Sequence, residues 1–395
     1  MSCPHCEQAA GYHDDRGNWV VSLFGTLDYE RAYYYCRCCG KGLAPFDQQA
    51  GITPRHQSPA VERLAALAGA VGDSFERGAD LLREMGGVRL SESTIQRTTE
   101  DVGVRIEGLL NEGMVFGPPR QWPWRKDARG RTVAYVTADA TGTRQQGPGG
   151  ASAEGRMAYV AGVYNPSPPD WLRPPGQAAV PLQARYLSGL YELADLGPLL
   201  RQQAGHVGMD AAEIWVALTD GGSGLEPFCQ RNFNRADLVV ILDFYHPASY
   251  LEKLARALYP QDEEAAKAQA EGWCRLLKEE GGAATLAVLR EWDWPARKSA
   301  ALKEQLAGVE EYFGKNVHRM EYPEYEAEGW CIGSGVVESA CKTVVGQRLK
   351  GAGMRWGEAG AHALCHVRAL YRSEKGQWDA FWTRNLTKSK VYQLN

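Results

Sequence analysis

The chain has 395 residues, 44% of them hydrophobic and 10% aromatic, which leaves room for two or three domains with a sizeable core and excludes a disordered protein. Its net charge of −4 excludes a basic surplus spread over the whole molecule, so any nucleic-acid binding has to rest on local patches. No run of about 18 apolar residues exists to span a bilayer, and the opening MSCPHCEQAAGYHDD lacks the basic-then-apolar pattern of a secretion signal, so no membrane partner and a cytoplasmic location are expected.

Five of the ten cysteines crowd into the first 39 residues, which suits a metal site better than a set of disulfides. Cys3 and Cys6, and Cys36 and Cys39, form two C-x-x-C pairs that together complete a tetrahedral four-sulfur site for a structural Zn²⁺. Cys38 is an alternative to Cys39, and His5 is a weaker one. Between the pairs, WVVSLFG and DYERAYYYC alternate around Gly25 and Thr26, which predicts a hairpin and a zinc ribbon over residues 1–47.

Residues 58–117 read as helices: VERLAALAGAV, SFERGADLLREM and SESTIQRTTEDVGVRI, parted by Gly72-Asp73 and by the segment Gly86 to Leu90. Two short helices, a glycine-bearing turn and a third helix carrying Gln96 and Arg97 fit a helix-turn-helix DNA-binding region; a three-helix connector fits as well. Pro118, Pro119 and Pro123 then mark a linker.

From residue 128 strands and helices alternate. RTVAYVTAD, RMAYVAGVY and QARYLSG read as strands, followed by a helix over Tyr191 to Ala204, the strand EIWVALTD, a helix over Leu225 to Asn232, and the strand ADLVVILD. Three antiparallel strands followed by helix-linked parallel ones predict a ribonuclease H-like α/β core over 128–246 and 331–372, with the first and fourth strands adjacent. Asp139 and Asp220 then meet at one end of the sheet. Residues 247–330 turn helical and polar, a helical insertion, and 373–395 form a C-terminal tail.

GSGVVESACKTVVGQRLKGAGMRW reads as a helix with Val337, Cys341, Val344, Val345 and Leu349 on one face, Ser334 as N-cap and Gly351 as its stop. Locally, Glu338 and Lys342 would form a surface ion pair worth about 0.3 to 0.5 kcal/mol. With the sheet in place, Glu338 becomes instead the third carboxylate beside Asp139 and Asp220, a set able to hold two Mg²⁺ or Mn²⁺ ions for phosphodiester chemistry. Asp243 closes a neighbouring strand and is the rival of Asp220; with His246 it would otherwise orient the site, act as a helix cap, or sit in the core. Beyond Glu338, Lys342, Arg348, Lys350 and Arg355 supply a basic patch for phosphates, and Trp356 either stacks on an unpaired base or packs between helices.

TADATGTR, TDGGSGL, LDFYH and the long Glu338 motif, in that order, resemble the catalytic-core motifs of bacterial insertion-sequence DDE transposases of the ISKra type and, more distantly, of Mutator-like transposases. CPHC, SLFGTLDYERAYYYCRCCGKGLAPFD and VRLSESTIQR are similar to the front half of the same proteins, so the resemblance covers nearly all of the chain. It implies Asp139, Asp220 and Glu338 as the catalytic triad, with Asp243 and His246 matching the signature that follows the second aspartate. It further implies cutting and joining of double-stranded DNA at terminal inverted repeats and in target DNA, by a homo-oligomer on DNA at the nucleoid. A catalytically silent DNA-binding protein and a structure-specific nuclease are the alternatives.

Overall fold

The computed structural model describes residues 1–176, 178–222, 224–384 and 386–388. At the front, β1 (Gly11–Ser22) and β2 (Gly25–Tyr35) pair as an antiparallel hairpin, and β3 (Gly42–Leu43) adds to β2. The turn falls on Leu23 and Phe24, two residues earlier than the sequence places it, because Ser22 pairs directly with Gly25. The hairpin returns the second cysteine pair to the first. A short α1 (Pro45–Gln49) follows, and its Asp47 accepts from Tyr29 Oη at 2.6 Å and pairs with Arg31 at 3.0 Å, locking helix to hairpin.

Three helices come next: α2 (Pro59–Val71), α3 (Phe75–Gly86) and α4 (Glu92–Asn111). Each starts at a serine, Ser58, Ser74 or Ser91, whose hydroxyl accepts an otherwise unpaired first-turn amide. Then β4 (Met114–Phe116) and β5 (Arg125–Lys126) lead to β6 (Thr132–Gln146), β7 (Ser152–Asn165), β8 (Gln183–Gly189), α5 (Leu193–His206), β9 (Ile214–Thr219), α6 (Leu225–Asn232) and β10 (Leu238–Leu242).

The main sheet runs β10-β9-β6-β7-β8, with β5 paired to β6 off that path. The pairs β6–β7 and β7–β8 are antiparallel, whereas β6–β9 and β9–β10 are parallel, so the first long strand does lie beside the fourth. One expectation fails: β6 does not stop at Asp139 but continues to Gln146. Its parallel partner is lost after Ala138, yet β7 keeps pairing with it out to Ser152. Backbone pairing with β7, joined at the far end by the Trp356 backbone on the other side, sustains a strand that its polar residues do not announce.

Alternation along β6 and β9 divides the core between two faces. Val133, Tyr135, Val216 and Leu218 face the helices of the insertion, α7 (Tyr245–Leu258), α8 (Glu263–Glu291), α9 (Ala300–Asn316) and α10 (Tyr322–Ala327). Ala134, Val136, Ala138 and Ala217 face the other side. There lie α5, α11 (Gly335–Ala340), a π-helical turn over Cys341–Gly346, α12 (Gln347–Leu349), α13 (Glu358–Arg372) and α14 (Gln377–Trp382). Residues of the expected tail therefore belong to the fold, since Trp378 and Phe381 are buried and β11 (Leu386–Lys388) pairs with β4. Positions 389–395 of that tail lie outside the described residues. No helix among the described residues is long and apolar enough to cross a membrane.

The front helices share this second core. Ala66, Ala70, Val102, Ile106 and Leu110 are buried in one cluster with the sheet and α13. Contact is closest where α4 crosses α13: a Cβ added at Gly103 would stand 2.1 Å from the Ala363 carbonyl oxygen. Gly103→Ala has to part the two helices, and we expect it to lower stability by about 1 to 3 kcal/mol, read as a fall in denaturant midpoint.

Candidate active site

The parallel register sets the geometry of the site. Ala138 pairs with Thr219, and Thr219 with Leu242, so Asp139, Asp220 and Asp243 are the next residues on three neighbouring strands, at one edge of the sheet. Their surroundings give them different parts. Asp243 is fully buried: Oδ1 accepts the Ser334 amide at 3.0 Å and the Tyr245 amide at 3.3 Å, and Oδ2 accepts the Ser334 hydroxyl at 2.8 Å. Every lone pair so used is lost to solvent ions, and the carboxylate serves to fasten the start of α11 to the sheet. Ser334 stands at the N-cap position, but its hydroxyl is spent on Asp243 and caps no helix amide.

Asp139 and Asp220 are half-buried on adjacent strands, close enough for their charges to interact. Burial raises the pKa of Asp139, the Ala140 amide opposes at 2.6 Å from Oδ1, and the charge of Asp220 acts in the same direction as burial. Two carboxylates held this way repel, and a hard divalent cation between them would relieve the repulsion. Asp220 is folded back by the Gly221-Gly222 turn, its Oδ1 accepting the Gly222 amide at 2.8 Å. A Cβ at Gly221 would come 2.1 Å from the Tyr312 hydroxyl, so the turn has no room for a side chain. His246, its ring 42% exposed, places Nε2 at 3.9 Å from Asp220 Oδ2.

Glu338 rides on α11 and is exposed. One turn on, the Cys341 thiol donates to Asp139 Oδ2 at 3.5 Å, which brings the Glu338 helix against the same edge of the sheet. The three acids do not form a ready ligand set: among the described residues, the groups with three or more ligand atoms within 4.8 Å of one another are two others. Glu338 also makes no ion pair with Lys342 among the described residues. The wider i→i+5 turn that begins at Cys341 takes Lys342 out of ordinary i,i+4 register.

No known family model matches the chain, and no curated protein matches it. The functional reading therefore rests on the site itself.

The basic patch is smaller than the sequence suggests. Lys342, Lys350 and Arg355 are exposed, and Lys350 Nζ donates to Thr141 Oγ1 at 2.9 Å, beside Asp139. Arg348 is not a surface cation. It is 2% exposed, donates through Nε to the Gly69 carbonyl at 3.1 Å, and packs against the rings of Phe75 and Trp356, which meet edge-to-face. Burial pushes it down to about 10. Trp356 is core rather than a stacking platform, with its Nε1–H on the Leu349 carbonyl at 3.1 Å and its backbone bonded to Arg144 and Gln146. Gln96 and Arg97 are exposed on the first turns of α4, tied to Glu100 and Ser93 of their own helix.

The cysteine cluster agrees with the sequence. Cys3, Cys6, Cys36 and Cys39 gather their sulfurs, with Cys3–Cys39 at 3.7 Å and Cys6–Cys36 at 3.5 Å, close to the edge of about 3.8 Å that a tetrahedron of 2.3 Å Zn–S bonds requires. Cys38 and His5 are exposed and outside the group. The arrangement is compatible with a structural Zn²⁺.

The second cluster, Glu107, His362 and His366, goes unseen in the sequence reading, its one local signal being the i,i+4 spacing of the two histidines on α13. His362 Nδ1 accepts the Leu190 amide at 2.9 Å, which leaves the ring proton on Nε2, 3.0 Å from Glu107 Oε1. Metal-bound imidazoles donate through their second nitrogen, whereas this one accepts, so the trio is a hydrogen-bonded tie between α4 and α13. Metal analysis separates the clusters: about one zinc per chain is expected, lost in Cys36→Ser and Cys39→Ser and retained in Cys38→Ser and His362→Ala.

Proposed function

We propose that the chain is a DDE-type DNA transposase with a ribonuclease H-like catalytic core, a front zinc ribbon and a helical end-binding region. The observation that carries the reading is the pair Asp139 and Asp220, side by side at the carboxyl edge of adjacent parallel strands, with the Glu338 helix fastened to that edge through Ser334 and Cys341. The strand order, three antiparallel strands and then two parallel ones outside the first, supports the ribonuclease H-like assignment.

Asp139, Asp220 and Glu338 would hold divalent Mg²⁺ or Mn²⁺, which when bound supplies the activation of an attacking hydroxyl and the stabilisation of the leaving oxygen in phosphodiester exchange. The chain's own residues do the rest. Asp243 keeps the start of α11 at the sheet edge, and the Gly221-Gly222 turn holds the Asp220 carboxylate in place. His246 stands beside Asp220, its Nε2 3.9 Å from Oδ2. Lys350, near Asp139, and the exposed Lys342 and Arg355 supply charge for a DNA backbone, with Gln96 and Arg97 on the end-binding helix. Because the Asp139 pKa is raised, its carboxylate takes up a proton at a higher pH than an ordinary aspartate, and cation binding falls off from that side as the pH drops. DNA ends, target DNA and a second copy of the chain on paired ends are the partners this reading requires.

The test is cleavage of a DNA fragment carrying the adjacent element ends, in Mg²⁺ or EDTA. Asp139→Asn, Asp220→Asn and Glu338→Gln should each cut at least roughly 10²-fold more slowly than wild type while still binding the fragment. Wild-type binding without cutting under any divalent metal would replace the reading with a silent DNA-binding protein; cutting without joining would replace it with a nuclease.

A further inference from the structure

We propose that Arg368 is a positioning residue for Glu338, through which the seating of the front helices governs the acidic site; this rests on reading Asp139, Asp220 and Glu338 as the metal-binding set.

The helix that begins at Gly335 changes pitch one residue after Ala340. Over Cys341–Gly346 it is a π-turn, in which the Gln347 amide reaches back to the Lys342 carbonyl. Such a turn holds one residue more than an α-turn and leaves part of the carbonyl ladder without its usual partners. This turn lies between Glu338 and the buried α12, and its first residue, Cys341, is the one that touches Asp139. Whatever holds the π-turn open sets the direction in which Glu338 points.

Arg368 does this from α13. It is 4% exposed, and its Nε donates to the Val344 carbonyl at 2.5 Å while Nη2 donates to the Thr343 carbonyl. Both acceptors are in the π-turn. Its remaining arm, Nη1, donates to the Ala70 carbonyl, in the last turn of α2. One planar guanidinium thus joins α2 to the π-turn through three backbone carbonyls. No carboxylate pairs with it among the described residues. Burial lowers its pKa to about 10, and the nearby charges of Arg372 and Arg348 act in the same direction. The cation is held by backbone dipoles, among them the negative end of α2.

Arg348 repeats the arrangement one carbonyl earlier, on Gly69 of the same turn, and one of its nitrogens, Nη2, is buried without a partner. Two buried arginines of the core therefore depend on the end of one front helix. If α2 shifts, Arg368 loses an acceptor on one side and has to move with its two acceptors in the π-turn on the other. The three-way bond makes the position of Glu338 a function of where α2 sits, and α2 belongs to the region assigned to DNA ends. Completion of the acidic site is thereby coupled to the seating of that region.

The experiment titrates Mn²⁺ into the full chain by electron paramagnetic resonance, with Asp139→Asn to identify the acidic site, and measures the Mn²⁺ dependence of end cleavage alongside. Arg368→Gln should weaken Mn²⁺ binding roughly tenfold or more, the size of one lost hydrogen bond to a charged group, with the cleavage rate at saturating Mn²⁺ and the binding of end DNA close to wild type. Arg348→Met, which touches α2 and not the π-turn carbonyls, should shift the Mn²⁺ requirement in the same direction; it decides alone if Arg368→Gln does not fold. A purely structural clamp would lower the melting temperature and leave Mn²⁺ affinity unchanged in both variants, and that result overturns the inference. Wild-type protein with no Mn²⁺ site sensitive to Asp139→Asn would overturn the underlying reading and this inference together.

Discussion

The parallel register of β6, β9 and β10 is the constraint on which the rest depends. It fixes Asp139, Asp220 and Asp243 as consecutive positions across one sheet edge, whatever their side chains then do. Packing divides them. Asp243 is closed off by three donors and becomes an anchor for α11, while Asp139 and Asp220, left half-open, repel one another across the gap. A buried carboxylate closed off by donors is a structural part; Asp139 and Asp220 accept one backbone amide each, with the Cys341 thiol also on Asp139, and stay half-open to solvent.

The two faces of the sheet carry different loads. The insertion, α7 to α10, covers one face with large apolar side chains and contributes Tyr312, whose ring occupies the space beside Gly221. On the opposite face the front helices, the π-turn and α13 form one continuous core, joined by the Gly103 crossing, the Glu107–His362 bond and the two buried arginines. The helical region is thus fused to the core instead of hanging from the Pro118–Pro123 linker. Near the acidic edge, the exposed Lys350 reaches the strand carrying Asp139.

How far the sequence speaks for this structure follows from the range of each interaction. The four zinc-type cysteines lie in two short knuckles, and the hairpin between them is written in local alternation, so both are legible. The neighbouring aspartates are legible too, because apolar strand patterns and helix crossovers limit the possible strand orders. The extension of β6 past Asp139 is not, since ATGTRQQ carries no strand pattern and is held by pairing with β7. Arg348 looks like a surface cation because its acceptor, Gly69, stands 279 residues away, and the Arg368 acceptor Ala70 is 298 residues distant. Ser334 looks like a cap because its true acceptor, Asp243, is 91 residues distant. The π-turn leaves no mark, as Val337, Cys341 and Val344 suit an α-helix equally well.

The most direct test of the account is a crystal structure of the protein grown with Mn²⁺, read by anomalous scattering. The account predicts Mn²⁺ held by Asp139 and Asp220 with Glu338 turned in from α11 to complete the set, and Asp243 still bonded to Ser334. Mn²⁺ absent from that edge, or bound there with Glu338 left in solvent, would contradict it.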